Sequence, residues 1–275
     1  MCGISFFLNA FPNIYLKSLS HRGPDDYQIY ENENITLEFH RLSINDLSEN
    51  GNQPLHVKDC ILICNGEIFN HADLTQKYNF ETKSKSDCEI IIHLYDHLKT
   101  IKSNIYDIIS ELCDTLDGEF AFILYDVQNK FVIFARDPFG VRPLFFDYES
   151  YSFASELKAF KSLSTVKQFP PGNFALLSDF SYLSFLFPYH HTSNTFTFDD
   201  LPNILANINS LLRHAVKKRL MSERNLCCLL SGGLDSSLIA AIVASHVPNL
   251  KTYSIGFKDS PDLYYAQQVA DHIQS

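Results

Sequence analysis

The chain has 275 residues, 45% of them hydrophobic, which is enough for two compact domains with substantial cores. Acidic residues outnumber basic ones by 32 to 22 for a net charge of −10, and no Lys/Arg cluster offers the electrostatic footprint of a nucleic-acid or anionic-membrane binder. No stretch stays apolar for the ~20 residues of a membrane span, and no basic segment precedes the short apolar run at the N-terminus, so a cytoplasmic protein is expected.

Residues 2–186 read as short strands separated by polar turns: CGISFFLN, ITLEFHRL, CILICNGEI, EFAFILYD, KFVIFARD, RPLFFDY, YSFASE, NFALLSD and SYLSFLF. Two helices interrupt them. SDCEIIIHLYDHL opens on Ser86 with Glu89 three residues later, the spacing of a capping box, and KSNIYDIISEL follows. Many strands joined by hairpin-length turns, with few helices, predict an antiparallel α+β domain.

Residues 187–200, FPYHHTSNTFTFDD, are polar and without periodicity, so they read as a linker. Within it His190 and His191 read as solvated, and Asp199 and Asp200 as a helix N-cap. Beyond it Leu201, Ile204, Leu205, Ile208, Leu211, Leu212 and Ala215 recur at helical spacing and predict one apolar stripe laid on a core. Strand (226–230), helix (236–246), strand (251–257) and helix (262–273) then alternate, the pattern of a parallel α/β sheet in a domain spanning 201–275. Two strands are fewer than a doubly wound sheet uses, so the expectation is a fragment of something longer or a half-sheet completed by another molecule.

The seven cysteines form no CxxC pair and no Cys/His spacing suited to zinc. Cys60, Cys64, Cys227 and Cys228 lie in apolar runs and read as reduced core residues.

SGGLDSS (231–237) stands between a strand and a helix. A glycine-rich turn there aims backbone N–H groups and the positive end of the helix dipole at one point, which suits an anion. Gly232 and Gly233 let the backbone approach a ligand, and Ser231, Ser236 and Ser237 add hydroxyls. Without GK[ST] it is not a Walker A loop, and Asp235 suggests Mg²⁺ beside bound phosphates. A capped helix behind a flexible turn is the plainer alternative. LLSGGLDSS resembles the PP-loop of the ATP-pyrophosphatase family, and TYSIGFKDSPDLYYAQQVADH resembles the next strand and helix of that family as found in asparagine synthetases. That resemblance implies Leu230 and Ile255 against the nucleotide, with Ser231, Gly232, Gly233, Asp235 and Ser236 around the pyrophosphate. The helix at 262–273 reads as scaffold.

At the other end, removal of Met1 would leave Cys2 with a thiol nucleophile and a free α-amine of pKa near 8 on one residue. HRGPDD (21–26), HRLSIND (40–46), NGEIFNH (65–71), SDCE (86–89) and ARDPFGVRPL (135–144) follow in the order seen in class II, N-terminal-nucleophile glutamine amidotransferases. The resemblance implies that Cys2 attacks the side-chain amide of glutamine, forms a thioester and releases ammonia. It also implies an oxyanion hole from the Asn65 amide and the Gly66 N–H, Arg41 on the substrate α-carboxylate, and Glu67 and Asp87 on its α-ammonium. Each has an ordinary reading too: Arg41 as a surface cation, Asn65–Gly66 as a hairpin turn, Asp87 as a first-turn helix acid. Arg22 of HRGPDD is expected near the nucleophile, and Arg136 and Asp137 in a structural turn.

A class II glutaminase followed by a PP-loop resembles the glutamine-hydrolysing asparagine synthetases. The fold this implies is an N-terminal-nucleophile α+β domain of antiparallel sheets layered with helices (2–186), then an incomplete α/β PP-loop domain. The implied substrates are glutamine, aspartate and ATP with Mg²⁺, ammonia passing from Cys2 to an adenylated aspartate; a homodimer is compatible with this, and neither nucleic acid nor membrane is a partner. The alternatives are a stand-alone or truncated glutaminase and a non-catalytic glutamine or nucleotide sensor.

Overall fold

The computed structural model describes residues 1–189, 201–258 and 260–275. It divides into two units, Met1–Ser193 and Asn194–Ser275. His190, His191, Asp199 and Asp200 lie outside the described residues.

The first unit runs β1 (Gly3–Leu8), β2 (Asp26–Glu31), β3 (Ile35–Arg41), β4 (Leu55–Val57), β5 (Cys60–Ile68), α1 (His71–Tyr78), α2 (Ile90–Ile101), α3 (Ile105–Thr115), β6 (Gly118–Asp126), β7 (Phe131–Arg136), β8 (Phe145–Asp147), β9 (Ser152–Ala154), β10 (Val166–Gln168), β11 (Asn173–Ser178) and β12 (Tyr182–Pro188). Two six-stranded antiparallel sheets result, ordered β10-β8-β9-β1-β3-β2 and β12-β11-β7-β6-β5-β4. The alternation of side chains explains the layering. Ile4, Phe6, Leu37 and Phe39 of the first sheet pack against Ile61, Ile63, Ile123 and Phe134 of the second. The other face of the second sheet, with Leu62, Cys64, Phe120 and Phe122, is covered by Ile91, Leu94 and Tyr95 of α2 and Ile109 and Leu112 of α3. Because β5 is covered on both faces, its first residues read as the unbroken apolar run CILIC rather than as an alternation.

Three expectations change here. Asn65–Gly66 is no hairpin turn: both residues lie inside β5, opposite Ala121 and Phe120 of β6. The capping box does not form, because the Ser86 side chain makes no cap bond and Asp87–Glu89 is a 3₁₀ turn that leads into α2. Glu89 instead accepts from the Lys83 and Ser84 N–H groups and the His93 ring, so its carboxylate ties down the preceding loop. The segment expected as linker starts inside the domain, with Phe187 and Pro188 in β12 and the buried Tyr189 donating from its hydroxyl to the Arg136 carbonyl at 2.6 Å.

The second unit consists of α4 (Leu201–Lys218), β13 (Cys227–Leu229), α5 (Leu234–Ala244), β14 (Lys251–Tyr253) and α6 (Pro261–Ile273). β13 and β14 pair in parallel, Cys227 opposite Lys251, as the alternation predicted. β14 stops four residues earlier than expected. There Ser254 Oγ donates to the Leu230 carbonyl at 2.6 Å, and Ile255 and Phe257 beyond it are exposed. The α4 stripe is also uncovered among the described residues: Leu201, Ile204, Leu205, Ile208 and Leu211 are exposed, and the face that packs is the one with Leu212 and Val216, joined by Leu220 just beyond the helix. Cys227 is exposed rather than core. No helix among the described residues is long and apolar enough to cross a membrane.

Candidate active site around Cys2 and a glycine-rich loop in the second unit

A cavity of about 50 Å³ opens where β1, β3 and β5 meet the 3₁₀ turn before α2. Cys2, Arg41, the consecutive Asn65, Gly66 and Glu67, and Asp87, from four separate places in the sequence, all line it. Register brings them together: Gly3 pairs with His40, which sets Cys2 beside the end of β3, and Leu42 just beyond donates its N–H to Cys2 Sγ at 3.4 Å. Burial pushes the Cys2 thiol above its ordinary value, while the Leu42 N–H and nearby positive charge pull the other way. The amino terminus beside it, Met1 in this chain, is pushed below its ordinary value by burial, with Arg22 and Arg142 adding to the effect.

Asn65 is 1% exposed, and its Nδ2 is a buried donor with no hydrogen-bond partner. A side-chain amide in the middle of a β-ladder is ordinarily satisfied, so this donor is open to a ligand or water in the cavity. Gly66 follows because a Cβ there would stand 2.6 Å from the Glu119 carbonyl and 2.8 Å from Phe120 Cβ on the neighbouring strand.

Asp87 is buried, with Oδ2 accepting from the Ile68 N–H at 2.7 Å and Oδ1 from the Asn45 amide at 3.2 Å. Burial raises its carboxyl above the usual range against those two bonds. Glu67 lies 3.8 Å from Arg142 Nη2, which stands at the same distance from Glu119. Arg41 is no surface cation. It is buried and donates to the Ser48 and Asp46 carbonyls and to Asn52 Oδ1, so both its terminal nitrogens already hold the 46–52 loop.

Sequence reading missed Gln53, Cys64, Cys88 and Arg142, which also line the cavity. Arg142 lies in ARDPFGVRPL, where its local string reads as scaffold. Asp137 accepts from the Phe139, Val141 and Arg142 N–H groups, and Arg136 donates to the Arg142 and Gly140 carbonyls, so those two residues build the turn that delivers Arg142. Arg22 meets its expectation, its Nε donating to the Cys2 carbonyl at 2.8 Å.

In the second unit Gly233 caps α5, and Leu234 and Asp235 form its first turn, two residues earlier than expected. Ser231 Oγ and Ser236 Oγ are 2.9 Å apart, and Ser237 Oγ donates back to the Gly233 carbonyl at 2.7 Å. The two glycines do different jobs. Gly232 has φ +77°, and a Cβ on it would stand 2.6 Å from the Ala266 nitrogen and 2.7 Å from the Asp262 carbonyl, so it is required by α6 rather than by a ligand. Gly233 faces open space apart from Ser231 Oγ at 3.5 Å. Leu230 is 3% exposed and packs with Ala240 and Ala266, whereas Ile255 is fully exposed, so the two do not form one apolar wall. Among the described residues no group of three or more His, Cys, Asp or Glu side chains could hold a metal ion, and Asp235 stands as a single carboxylate.

The glutamine amidotransferase domain family matches residues 1–171, and the asparagine synthase family matches residues 207–275. Asparagine synthetase [glutamine-hydrolyzing] of Homo sapiens is 37% identical in an alignment covering 100% of this chain and 55% of its own length. A probable asparagine synthetase [glutamine-hydrolyzing] of Acanthamoeba polyphaga mimivirus is also 37% identical, over 92% of this chain and 50% of its own. The chain thus spans about half the length of the curated relatives it matches. Among solved structures, glutamine phosphoribosylpyrophosphate amidotransferase from B. subtilis, complexed with ADP and GMP, shares the fold with a TM-score of 0.55 at 18% identity, covering 96% of this chain and 70% of that one. With its first 171 residues matched end to end by the domain family and folded into the same architecture, the chain belongs to the glutamine amidotransferases, followed by a stretch that matches asparagine synthase.

Proposed function

We propose that the chain hydrolyses glutamine at Cys2 and that the ammonia serves an ATP-dependent synthesis of asparagine from aspartate, the activity named for its relatives. The observation that carries the first half is the unpartnered Asn65 Nδ2 in the same cavity as the Cys2 thiol. Glutamine would sit with its α-ammonium toward Glu67 and Asp87 and its α-carboxylate toward Arg41. Because both terminal nitrogens of Arg41 are engaged, that carboxylate exchanges with loop acceptors instead of meeting a free cation.

The chemistry begins with a proton. A buried thiol above its ordinary pKa needs a base, and the α-amine of Cys2, freed by loss of Met1, is within the same residue. The thiolate attacks the side-chain carbonyl, and the oxyanion that forms is met by the Asn65 amide and the Gly66 N–H. Collapse expels ammonia with the proton taken from the thiol, and water then releases glutamate from the thioester.

For the second half, the N-terminus of α5 with Ser231, Gly233 and Ser236 would receive the phosphates of ATP. Asp235 and the serine hydroxyls are hard oxygen donors that suit Mg²⁺, whose remaining ligands would be phosphate oxygens and water. When bound, Mg²⁺ would neutralise phosphate charge. A cytoplasmic location is in keeping with seven free cysteines.

The test is one incubation of the chain with glutamine, aspartate, ATP and Mg²⁺, quantifying glutamate, asparagine and pyrophosphate. Matched amounts of all three support the full reading; glutamate alone supports a glutaminase. Cys2→Ala is expected to abolish glutamate release with the fold intact, and wild-type rates in that variant would sink the proposal.

A further inference from the structure

The segment from Lys17 to Gly23 is held against the start of β1. A Cβ on Gly3 would stand 2.8 Å from Leu19 Cβ, and one on Gly23 would overlap the His40 carbonyl. A carboxylate fixes each end of this strap. Glu38, fully buried on β3, accepts from the Lys17 N–H and from Ser5 Oγ at 2.7 Å, with His40 Nε2 at 3.3 Å. At the other end Arg22, 7% exposed, donates from Nη1 to Glu156 Oε1 at 2.8 Å and from Nε to the Cys2 carbonyl at 2.8 Å.

Glu156 is itself placed by the strand that carries the nucleophile. Ala154 pairs with Ser5, the Ser155 N–H donates to the Ile4 carbonyl at 3.0 Å, and the Ile4 N–H donates to Ser155 Oγ at 3.1 Å. The Glu156 carboxylate thus emerges beside Cys2 in a fixed register, with His21 Nε2 at 3.1 Å and Lys158 Nζ at 3.8 Å on its outer side. The arrangement is a poor device for stability. An ion pair whose carboxylate is 27% exposed contributes at most about 1 kcal/mol, and Arg22 Nη2 is buried with no partner, which costs free energy. What the arrangement does well is fix one atom, the carbonyl oxygen of Cys2, and with it the peptide plane from which the thiol and the α-nitrogen project.

We infer that Glu156 is a positioning residue for glutamine hydrolysis, acting through Arg22 to hold the main chain of Cys2 in its attacking orientation. This rests on the proposed glutaminase reading. Small displacements of a nucleophile lower turnover by up to about 10²-fold without weakening substrate binding. Glu156→Gln keeps the size of the side chain and removes its charge, so it loosens the clamp without emptying the space.

The experiment is a double-mutant cycle on the full chain after removal of Met1, verified by mass spectrometry: wild type, Glu156→Gln, Arg22→Met and the double variant. For each, kcat and KM for glutamine, the rate of Cys2 alkylation by iodoacetamide read on the N-terminal peptide, and Tm are measured. Glu156→Gln is expected to lower kcat about 10-fold or more with KM changed less than about twofold. In the Arg22→Met background the same substitution is expected to change kcat by less than about twofold, because its effect runs through the guanidinium. Independent, multiplying losses overturn the inference, as does a rise in KM in place of a fall in kcat, or a loss that tracks a fall in Tm. If the wild type releases no glutamate, the glutaminase reading fails by itself, and Cys2 alkylation still decides the clamp: coupled changes uphold it and an unchanged rate in Glu156→Gln overturns it.

Discussion

Asn65 contributes a donor to the cavity and takes none from the fold, since its Nδ2 bonds nothing in the protein. Asn65→Ala therefore removes no hydrogen bond made through that nitrogen. It is expected to lower kcat for glutamine hydrolysis by about 10²–10³-fold, or ~2.7–4 kcal/mol of barrier, with Tm nearly unchanged. Steady-state kinetics beside a melting curve checks both halves, and a small kinetic effect would remove the Asn65 amide from the oxyanion role. At this scale the sequence was most informative where a residue type has few other reasons to occur. Cys2, the Asn65–Gly66–Glu67 string and Asp87 could be picked out from short motifs, and all of them line the cavity. Gln53 and Arg142 could not, because nothing local distinguishes a glutamine before a proline, or an arginine after a turn, from scaffold. Even for Arg41 the motif conveyed the position and hid the hydrogen bonds to the 46–52 loop that accompany it.

Glu89 acts on an element, joining the 83–84 loop to the start of α2. Its burial would raise the carboxyl, but the His93 ring, Ser84 and the two backbone N–H groups outweigh it and bring the pKa to about 2, from an ordinary value of 4.5. A carboxyl lowered on folding stabilises the protein above its unfolded pKa, and that stability is lost as pH falls. Between pH 4.5 and about 2 the wild type is therefore expected to lose about 3 kcal/mol that Glu89→Gln does not lose, measurable as denaturant midpoints across that window. Gly232 governs a different contact, that of the glycine-rich loop with α6. Gly232→Ala forces a left-handed residue and a backbone collision, and is expected to destabilise by about 1–3 kcal/mol, seen as lost hydrogen-exchange protection over residues 227–273. Gly233→Ala is expected to leave that protection in place. Strands and helices with strong patterning were legible in advance. β2 was missed because DYQIYE lies at a sheet edge with half-covered faces, and α1 because HADLTQKY buries only Leu74. The capping box failed for a reason outside its four residues, since Glu89 had nearer donors in a loop whose path the local string does not encode.

Over the whole chain, the three clusters that fill the first unit draw on residues up to Tyr189, and the two clusters of the second draw on Leu212 and beyond. A chain ended at Ser193 is accordingly expected to keep its fold and its glutaminase kcat within about threefold, because no core side chain is lost. Unfolding of that shortened chain would mean that the first unit depends on the second. The division into an antiparallel and a parallel part was legible from the change in strand spacing near residue 190. The pairing was not. Nothing in CILICNGEI or EFAFILYD states that Cys60 faces Asp126 and Ile68 faces Gly118, and that nine-residue ladder is what carries Asn65 and Gly66 to the cavity.

Met1 stands in the wall of that cavity. While it is attached, the nitrogen of Cys2 is a peptide amide whose lone pair is delocalised, and it can accept no proton from the thiol. On the proposed mechanism competence would be conferred on each molecule once, by a cut made after synthesis, and a partly processed preparation would be a mixture of two populations with the same fold and opposite capability. Its turnover per milligram counts finished N-termini rather than protein, so two batches equal in purity and melting temperature will differ in rate by the ratio of their processed fractions.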